Sequence, residues 1–369
     1  MSVLDLVRQS IRRMEPYKPG KSVEYVKRKY GLERVVKLAS NENPYGPSPK
    51  AIEALKSVDP FKLSVYPETF PQQLLEAIEE HTDWDKERVV IGAGLDGVLE
   101  TTFRMLVSEG DAVLLPTPTY PYYHTIMSVF GARGIFVKRK EDFSIDVDGI
   151  QEMVDRERPK LVIICSPNNP TGNAERMEDV RGVVEFCEGK SVVFVDEAYG
   201  EFADYEGKSL KSLEGENLII GRTLSKAFAL ASLRVGYAVM SEELREEYLK
   251  ATTPFPVTTP SCLAASEAMR DREHLNSVVE SIVRERERIA RELGRTGLKV
   301  YDSSANFLLV EAPVKAQLFV EELMKRGVIV RDCSSFYGCR DNQVRISVGR
   351  EEDNDFMLEV VEEVMRLWS

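Results

Sequence analysis

The chain has 369 residues, 43% of them hydrophobic and 30% charged, a balance that excludes a disordered chain and suits a large domain with a smaller one attached. A formal net charge of −12 makes the electrostatic term for nucleic acid or an anionic membrane repulsive, so neither is expected as a partner. Any anionic substrate then needs a local basic pocket.

Five cysteines (Cys165, Cys187, Cys262, Cys333 and Cys339) lack C-x-x-C spacing, and an odd count fits a reducing cytoplasm. With only His81, His124 and His274 available, no metal site is expected. At the N-terminus Leu4, Val7, Ile11 and Met14 fall at helical spacing between charges, which predicts an amphipathic arm. It lacks the apolar core and cleavage pattern of a signal peptide, and no later apolar run reaches the length of a membrane span.

Between about residues 89 and 240, the runs RVVIG, DAVLLP, GIFVK, KLVIIC, SVVFVD, NLIIG and VGYAVM alternate with amphipathic stretches. Short, nearly continuous runs of Val, Ile and Leu predict strands buried on both faces and joined by helical crossovers. An α/β domain with a mostly parallel sheet follows. From about residue 253 TTPFPVTTP breaks the pattern, and a long charged helix is expected with Val278, Ile282, Ile289 and Leu293 on one face. NFLLVEA, GVIVRD and QVRISVG then predict a smaller sheet, and DFMLEVVEEVMRLW a closing helix. The expected division is an N-terminal arm with part of the small domain over 1–45, a large domain over 46–252 and a small C-terminal domain over 253–369.

Ligands in open α/β sheets bind beyond the carboxyl ends of the strands, so the polar residues ending these runs are the candidates. In GRTLSKAFALASLRVGY, Lys226 lies among apolar residues, where desolvation favours the neutral amine that Schiff-base chemistry requires. Thr223, Ser225 and Arg234 around it make a plausible phosphate cup. In VVFVDEAYG, Asp196 ends a strand and either caps the next helix or pairs with a pyridine nitrogen, with Tyr199 three residues later. In LVIICSPNNPTG, the Pro/Asn/Gly turn places Asn169, whose amide can bond a phenolate oxygen.

The spacing Gly92, Gly94, Gly97 after a strand leaves two readings open. One is a dinucleotide fingerprint; the other is a phosphate held by backbone N–H groups of Gly94, Leu95 and Asp96. The next run, DAVLLPTP, has no acidic residue at its end to hold a ribose, which disfavours the first.

Together SNENPYGPSP, YPE, PTPTYPYY, SPNNPTG, VDEAY, TLSKAFALASLRVGY, GVIVRD and VRISVG resemble, in order and spacing, the fold-type-I pyridoxal 5'-phosphate (PLP) aminotransferases. Within these the chain resembles the histidinol-phosphate aminotransferase family. That resemblance implies the aspartate-aminotransferase fold, with a large domain built on a mostly parallel sheet and a smaller α+β domain. It implies PLP bound as a Schiff base to Lys226, Asp196 on the pyridine nitrogen, and Asn169 and Tyr199 on the phenolate oxygen. Tyr120 would stack on the ring. Gly94, Leu95, Asp96, Thr223, Ser225 and Arg234 would hold the phosphate. Tyr66 of the YPE motif would reach the partner subunit's cofactor, implying a homodimer. Arg331, Arg345 and Tyr17 would bind the substrate anion, with Arg345 free to point into a cleft because Val344, Ile346 and Val348 face inward. The expected reaction is transamination from histidinol phosphate to 2-oxoglutarate in histidine biosynthesis. An aromatic or broad-range aminotransferase and a threonine-phosphate decarboxylase remain alternatives.

Overall fold

The computed structural model describes residues 2–14 and 21–368. The strands in chain order are β1 (Val36–Lys37), β2 (Val89–Ala93), β3 (Ala112–Thr117), β4 (Arg133–Lys138), β5 (Leu161–Cys165), β6 (Val192–Asp196), β7 (Leu218–Thr223), β8 (Val235–Met240), β9 (Lys299–Val300), β10 (Phe307–Glu311), β11 (Val328–Ile329), β12 (Arg331–Asp332) and β13 (Gln343–Ser347).

The seven expected runs form one sheet in the order β2-β8-β7-β6-β5-β3-β4. Only β8 runs antiparallel to its neighbours β2 and β7. Alternation along each strand feeds two cores, because successive side chains leave opposite faces. Leu114, Val162, Ile164, Val193, Val195 and Ile220 enter one core. Val113, Leu115, Leu161, Ile163, Phe194 and Ile219 enter the other, which helices Gly94–Leu106 and Tyr122–Phe130 cover.

The second sheet, in the order β12-β13-β10-β9, is antiparallel. Helix Arg272–Arg295 buries Val278, Ile282, Ile289 and Leu293 as the spacing predicted. The run GVIVRD does not form one strand. Its first half, β11, pairs in parallel with β1, while its second half, β12, pairs with β13. The chain thus leaves one ladder for another at Val330. The helix directly after residue 253, Thr259–Arg270, packs against Pro49–Lys56 and Gln72–Thr82.

The expected N-terminal arm is not one helix. A 3-10 turn over Val3–Leu6 ends at Val7, which is extended with φ −79° and ψ 133°, and a single turn of helix follows over Gln9–Arg12. Short helices gain little from local bonds alone, and Val3, Leu4, Leu6 and Val7 lie exposed in the single chain while Ile11 and Met14 are half-buried.

Candidate active site

All the parallel strands of the large sheet point their carboxyl ends at one edge. There the loops after β2, β3, β5, β6 and β7 converge with the start of β8. At the β7–β8 connection Arg234 sits in the left-handed region at φ 51°, turning its side chain towards the start of helix Gly94–Leu106. Its Nη1 donates to Ser225 Oγ at 3.4 Å, and its Nη2 pairs with Asp96 Oδ2 at 3.4 Å. Thr223 Oγ1 donates to Ser225 Oγ at 3.0 Å. Two hydroxyls, one guanidinium and a helix N-terminus therefore surround one spot, a combination that suits a phosphate.

Two glycines let the parts of this cradle approach one another. Gly94 has φ +74°, and a Cβ there would stand 2.4 Å from Arg234 Nη2. A Cβ on Gly236 would meet the backbone of Gly94 and Leu95 at 2.3 Å. Gly236 was not singled out from the sequence, although a glycine inside a buried strand signals close backbone approach. The N–H of Gly94 itself donates to the Arg234 carbonyl at 3.0 Å. The expected trio of backbone donors thereby reduces to Leu95 and Asp96, the first-turn positions of a helix whose Ala93 N-cap supplies no side-chain bond.

Lys226 follows β7 and is half-buried, its Nζ donating to the Ser40 carbonyl at 3.4 Å. Burial and then the nearby Arg345 guanidinium push its pKa down to about 8, against an opposing pull from Asp96. Asn43 Nδ2 clamps the Ala227 carbonyl at 2.8 Å, fixing the segment that carries the lysine. Asp196 ends β6 and is not the cap of the next helix, whose N-cap is Tyr199: its Oδ1 accepts the Ala198 N–H at 2.9 Å in the intervening turn, while its Oδ2 accepts the Tyr123 hydroxyl at 2.5 Å. Burial raises its pKa to about 6, and among the described residues no cation pairs with it to offset the desolvation. A protonated pyridine nitrogen is the type of partner this carboxylate lacks. Tyr120 stands edge-on to Tyr123, the tyrosine that bonds Asp196, with ring centroids 5.5 Å apart.

The two asparagines of SPNNPTG divide their work. Asn168 ties its own turn together, bonding the Pro118 carbonyl at 3.0 Å and Thr171 Oγ1 at 2.6 Å. Asn169 faces the site, its Nδ2 donating to the Tyr199 hydroxyl at 3.3 Å. Arg345 is not free in a cleft as expected. Its strand β13 is buried on both faces, and Arg345 Nη1 donates to Asn169 Oδ1 at 2.6 Å and Nη2 to the Ala39 carbonyl at 2.7 Å. Its Nε is buried and unpaired. Arg331 is half-buried with its guanidinium 5.2 Å from the centroid of the Phe336 ring. Among the described residues no carboxylate pairs with either arginine.

Two expected residues are not brought to this place. Tyr66 is 81% exposed and stacks on Phe255 at 4.7 Å, with no hydrogen bond to the cradle of its own chain. Tyr17 lies outside the described residues. Conversely, Asn41, Ser347 and Tyr123 belong to the site yet carried no sequence signal beyond lying in or beside quoted motifs. All five cysteines are free thiols, and no helix among the described residues is long and apolar enough to cross a membrane.

Residues 33–361 match the family model described as aminotransferase class I and II. The histidinol-phosphate aminotransferase 1 of Archaeoglobus fulgidus is 48% identical over 90% of this chain and 99% of its own length. The histidinol-phosphate aminotransferase of Methanococcoides burtonii is 42% identical over 99% of this chain and 100% of its own. The crystal structure of histidinol-phosphate aminotransferase from Sinorhizobium meliloti in complex with pyridoxal-5'-phosphate superposes with a TM-score of 0.88 at 25% identity, covering 98% of each chain. At 22% identity, a Thermus thermophilus aspartate aminotransferase shares the fold with a TM-score of 0.82. This chain belongs to the class I and II aminotransferases and, within them, to the histidinol-phosphate aminotransferases.

Proposed function

We propose that the chain uses PLP to move the amino group of L-histidinol phosphate to 2-oxoglutarate, giving imidazole acetol phosphate and L-glutamate in histidine biosynthesis. The observation that carries this reading is the convergence, on one sheet edge, of a depressed lysine and a buried carboxylate without a cation. The cradle supports it, because Gly94 and Gly236 let the start of helix Gly94–Leu106 close on Arg234 and β8, beside Ser225 and Thr223.

Bound PLP supplies an electron sink that acidifies the carbon bearing the substrate amine. The chain would do the rest. Asp196 would hold a proton on the pyridine nitrogen. Asn169 and Tyr199 would donate to the phenolate oxygen, and Tyr120 would cover one face of the ring. Lys226 would anchor the cofactor, and its amine would serve as the general base at the substrate carbon. Arg345 and Arg331 take the anionic group, the phosphate of the first substrate and a carboxylate of the second, because a guanidinium fork suits either anion.

The active unit is proposed to be a cytoplasmic homodimer in which Tyr66 reaches the cradle of the opposite subunit. The apolar stretch around it supports this, since Phe61, Leu63 and Val65 are exposed in the single chain. The division into 1–45 with 253–369 against 46–252 is likewise a proposal. The β1–β11 pairing supports it, while helix Thr259–Arg270 leans on large-domain helices.

The experiment is a comparison of kcat/KM for histidinol phosphate, phenylalanine and tyrosine with 2-oxoglutarate as acceptor. A clear preference for histidinol phosphate is expected. Equal or better use of the aromatic amino acids would sink the substrate assignment and leave the aminotransferase family untouched.

A further inference from the structure

Tyr199 is buried, and its hydroxyl receives two amide N–H bonds, from Asn41 Nδ2 at 2.9 Å and from Asn169 Nδ2 at 3.3 Å. The direction of each bond is dictated by the next partner outward. Asn169 Oδ1 faces Arg345 Nη1 at 2.6 Å, and a guanidinium only donates, so the amide nitrogen must face the tyrosine. On the other side Ser347 Oγ accepts the Asn41 backbone N–H at 2.9 Å. The serine's own hydrogen goes to Asn41 Oδ1, also at 2.9 Å, and with that oxygen so engaged the amide nitrogen faces the tyrosine.

Asn41 could not do this from an ordinary backbone conformation. It sits in the left-handed region at φ 53°, and Asn306 Nδ2 fixes its carbonyl at 3.1 Å. Asparagine tolerates that region better than most residues. Arg345 and Ser347 lie two residues apart on β13, so they leave the same face of the strand and reach the two amides side by side.

We infer that Ser347 and Asn41 are positioning residues that aim the Tyr199 hydroxyl proton. With both acceptor positions of the phenol oxygen occupied by amide donors, its hydrogen has no acceptor in either neighbour and is left for the phenolate oxygen of the cofactor. Without Ser347 the Asn41 amide is free to turn over, present its oxygen, and draw the tyrosine hydrogen to itself. This inference rests on the proposed role of Tyr199.

The test follows the visible absorption band of the purified holoenzyme across pH in Tyr199→Phe, Ser347→Ala, Ser347→Thr and Asn41→Asp. A donor to the phenolate oxygen disperses the charge that holds a proton on the neighbouring nitrogen, so losing the donor raises the midpoint of the band. Tyr199→Phe and Ser347→Ala are expected to raise it by roughly 0.5 to 1 pH unit, the size of one neutral hydrogen bond. Asn41→Asp, whose carboxylate only accepts, should raise it at least as far, and keeps the inference testable should Ser347→Ala fail to fold. Ser347→Thr retains the hydroxyl and should keep the wild-type midpoint. A shift in Tyr199→Phe with none in either Ser347→Ala or Asn41→Asp overturns the positioning role alone. No shift in Tyr199→Phe overturns the tyrosine assignment and the inference with it.

Discussion

Arg331 and Arg345 stand directly opposite each other in the antiparallel pairing of β12 with β13, so both side chains leave the same face of the small sheet. Two like charges in that position repel each other. The pairing is tolerated because Arg345 gives two of its donors to Asn169 and Ala39, whereas Arg331 lies along the Phe336 ring. An anion between them would offset the repulsion, and a dianionic phosphate does so better than a carboxylate.

Replacing Arg345 by alanine should accordingly lower kcat/KM for histidinol phosphate by at least about tenfold, since a charge-assisted bond contributes roughly 1.5 to 3 kcal/mol. Arg331→Ala should act in the same direction. Because Arg345 also holds Asn169, its loss should lower kcat as well as raise KM, while Arg331→Ala should act mainly on KM. Steady-state kinetics of the two variants check the split.

Lys226→Ala removes the amine but leaves Ser225, Thr223 and Arg234 in place. Turnover should fall by at least about a hundredfold, the low end for loss of a general base, with little change in the thermal midpoint. A folded variant retaining substantial transamination would refute the assignment.

Asp196→Asn keeps the shape and an acceptor for the Ala198 N–H, with Tyr123 able to accept from the amide NH2 instead of donating, but removes the charge. Breaking a buried ion pair costs roughly 3 to 5 kcal/mol. If Asp196 pairs with the pyridine nitrogen, the rate of proton abstraction should drop by about a hundredfold or more in single-turnover measurements, with cofactor retention much less affected. Near wild-type rates would reduce Asp196 to a structural role.

Tyr66 can be tested by mixing two impaired variants, Tyr66→Phe and Lys226→Ala, each checked alone. If Tyr66 acts across an interface, hybrid dimers hold one site with both lesions and one with neither. Activity should return above that of either parent, and its absence in verified hybrids would count against a contribution from the partner subunit.

In the short helix Gly200–Tyr205, Glu201 is buried with neither carboxylate oxygen hydrogen-bonded, and Arg222 3.7 Å away is already held by Glu197 and Asp204. Burial raises the Glu201 pKa from an ordinary 4.5 to about 7. The folded state then binds more protons than the unfolded one between those values. This group's contribution to stability therefore falls as pH rises from about 4.5 through 7 and is constant above. Glu201→Gln should remove that slope, becoming more stable than wild type at pH values well above 7 in urea denaturation. An unchanged slope would place the proton elsewhere in the cluster.

Local pattern alone determined the seven strands of the large sheet, because runs such as LVIIC and VVFVD are apolar on both faces and can only be buried between two helical layers. It also put Lys226, Asp196 and Asn169 just at or after the ends of such strands, which share one edge once the strands are parallel, and Arg234 comes to that same edge at the start of antiparallel β8. What it could not determine was who touches whom across the chain. Asn41 meets Ser347 and Tyr199, Tyr123 meets Asp196, and Gly236 admits Gly94, each across a long sequence separation. The same holds for Arg345, whose strand alternation pointed to a free guanidinium. Alternation specifies a face, but only the neighbouring sheet and loops decide whether that face is open or filled. The direction of a hydrogen bond depends in turn on every partner in the chain of donors, and those partners come together only when both sheets have formed.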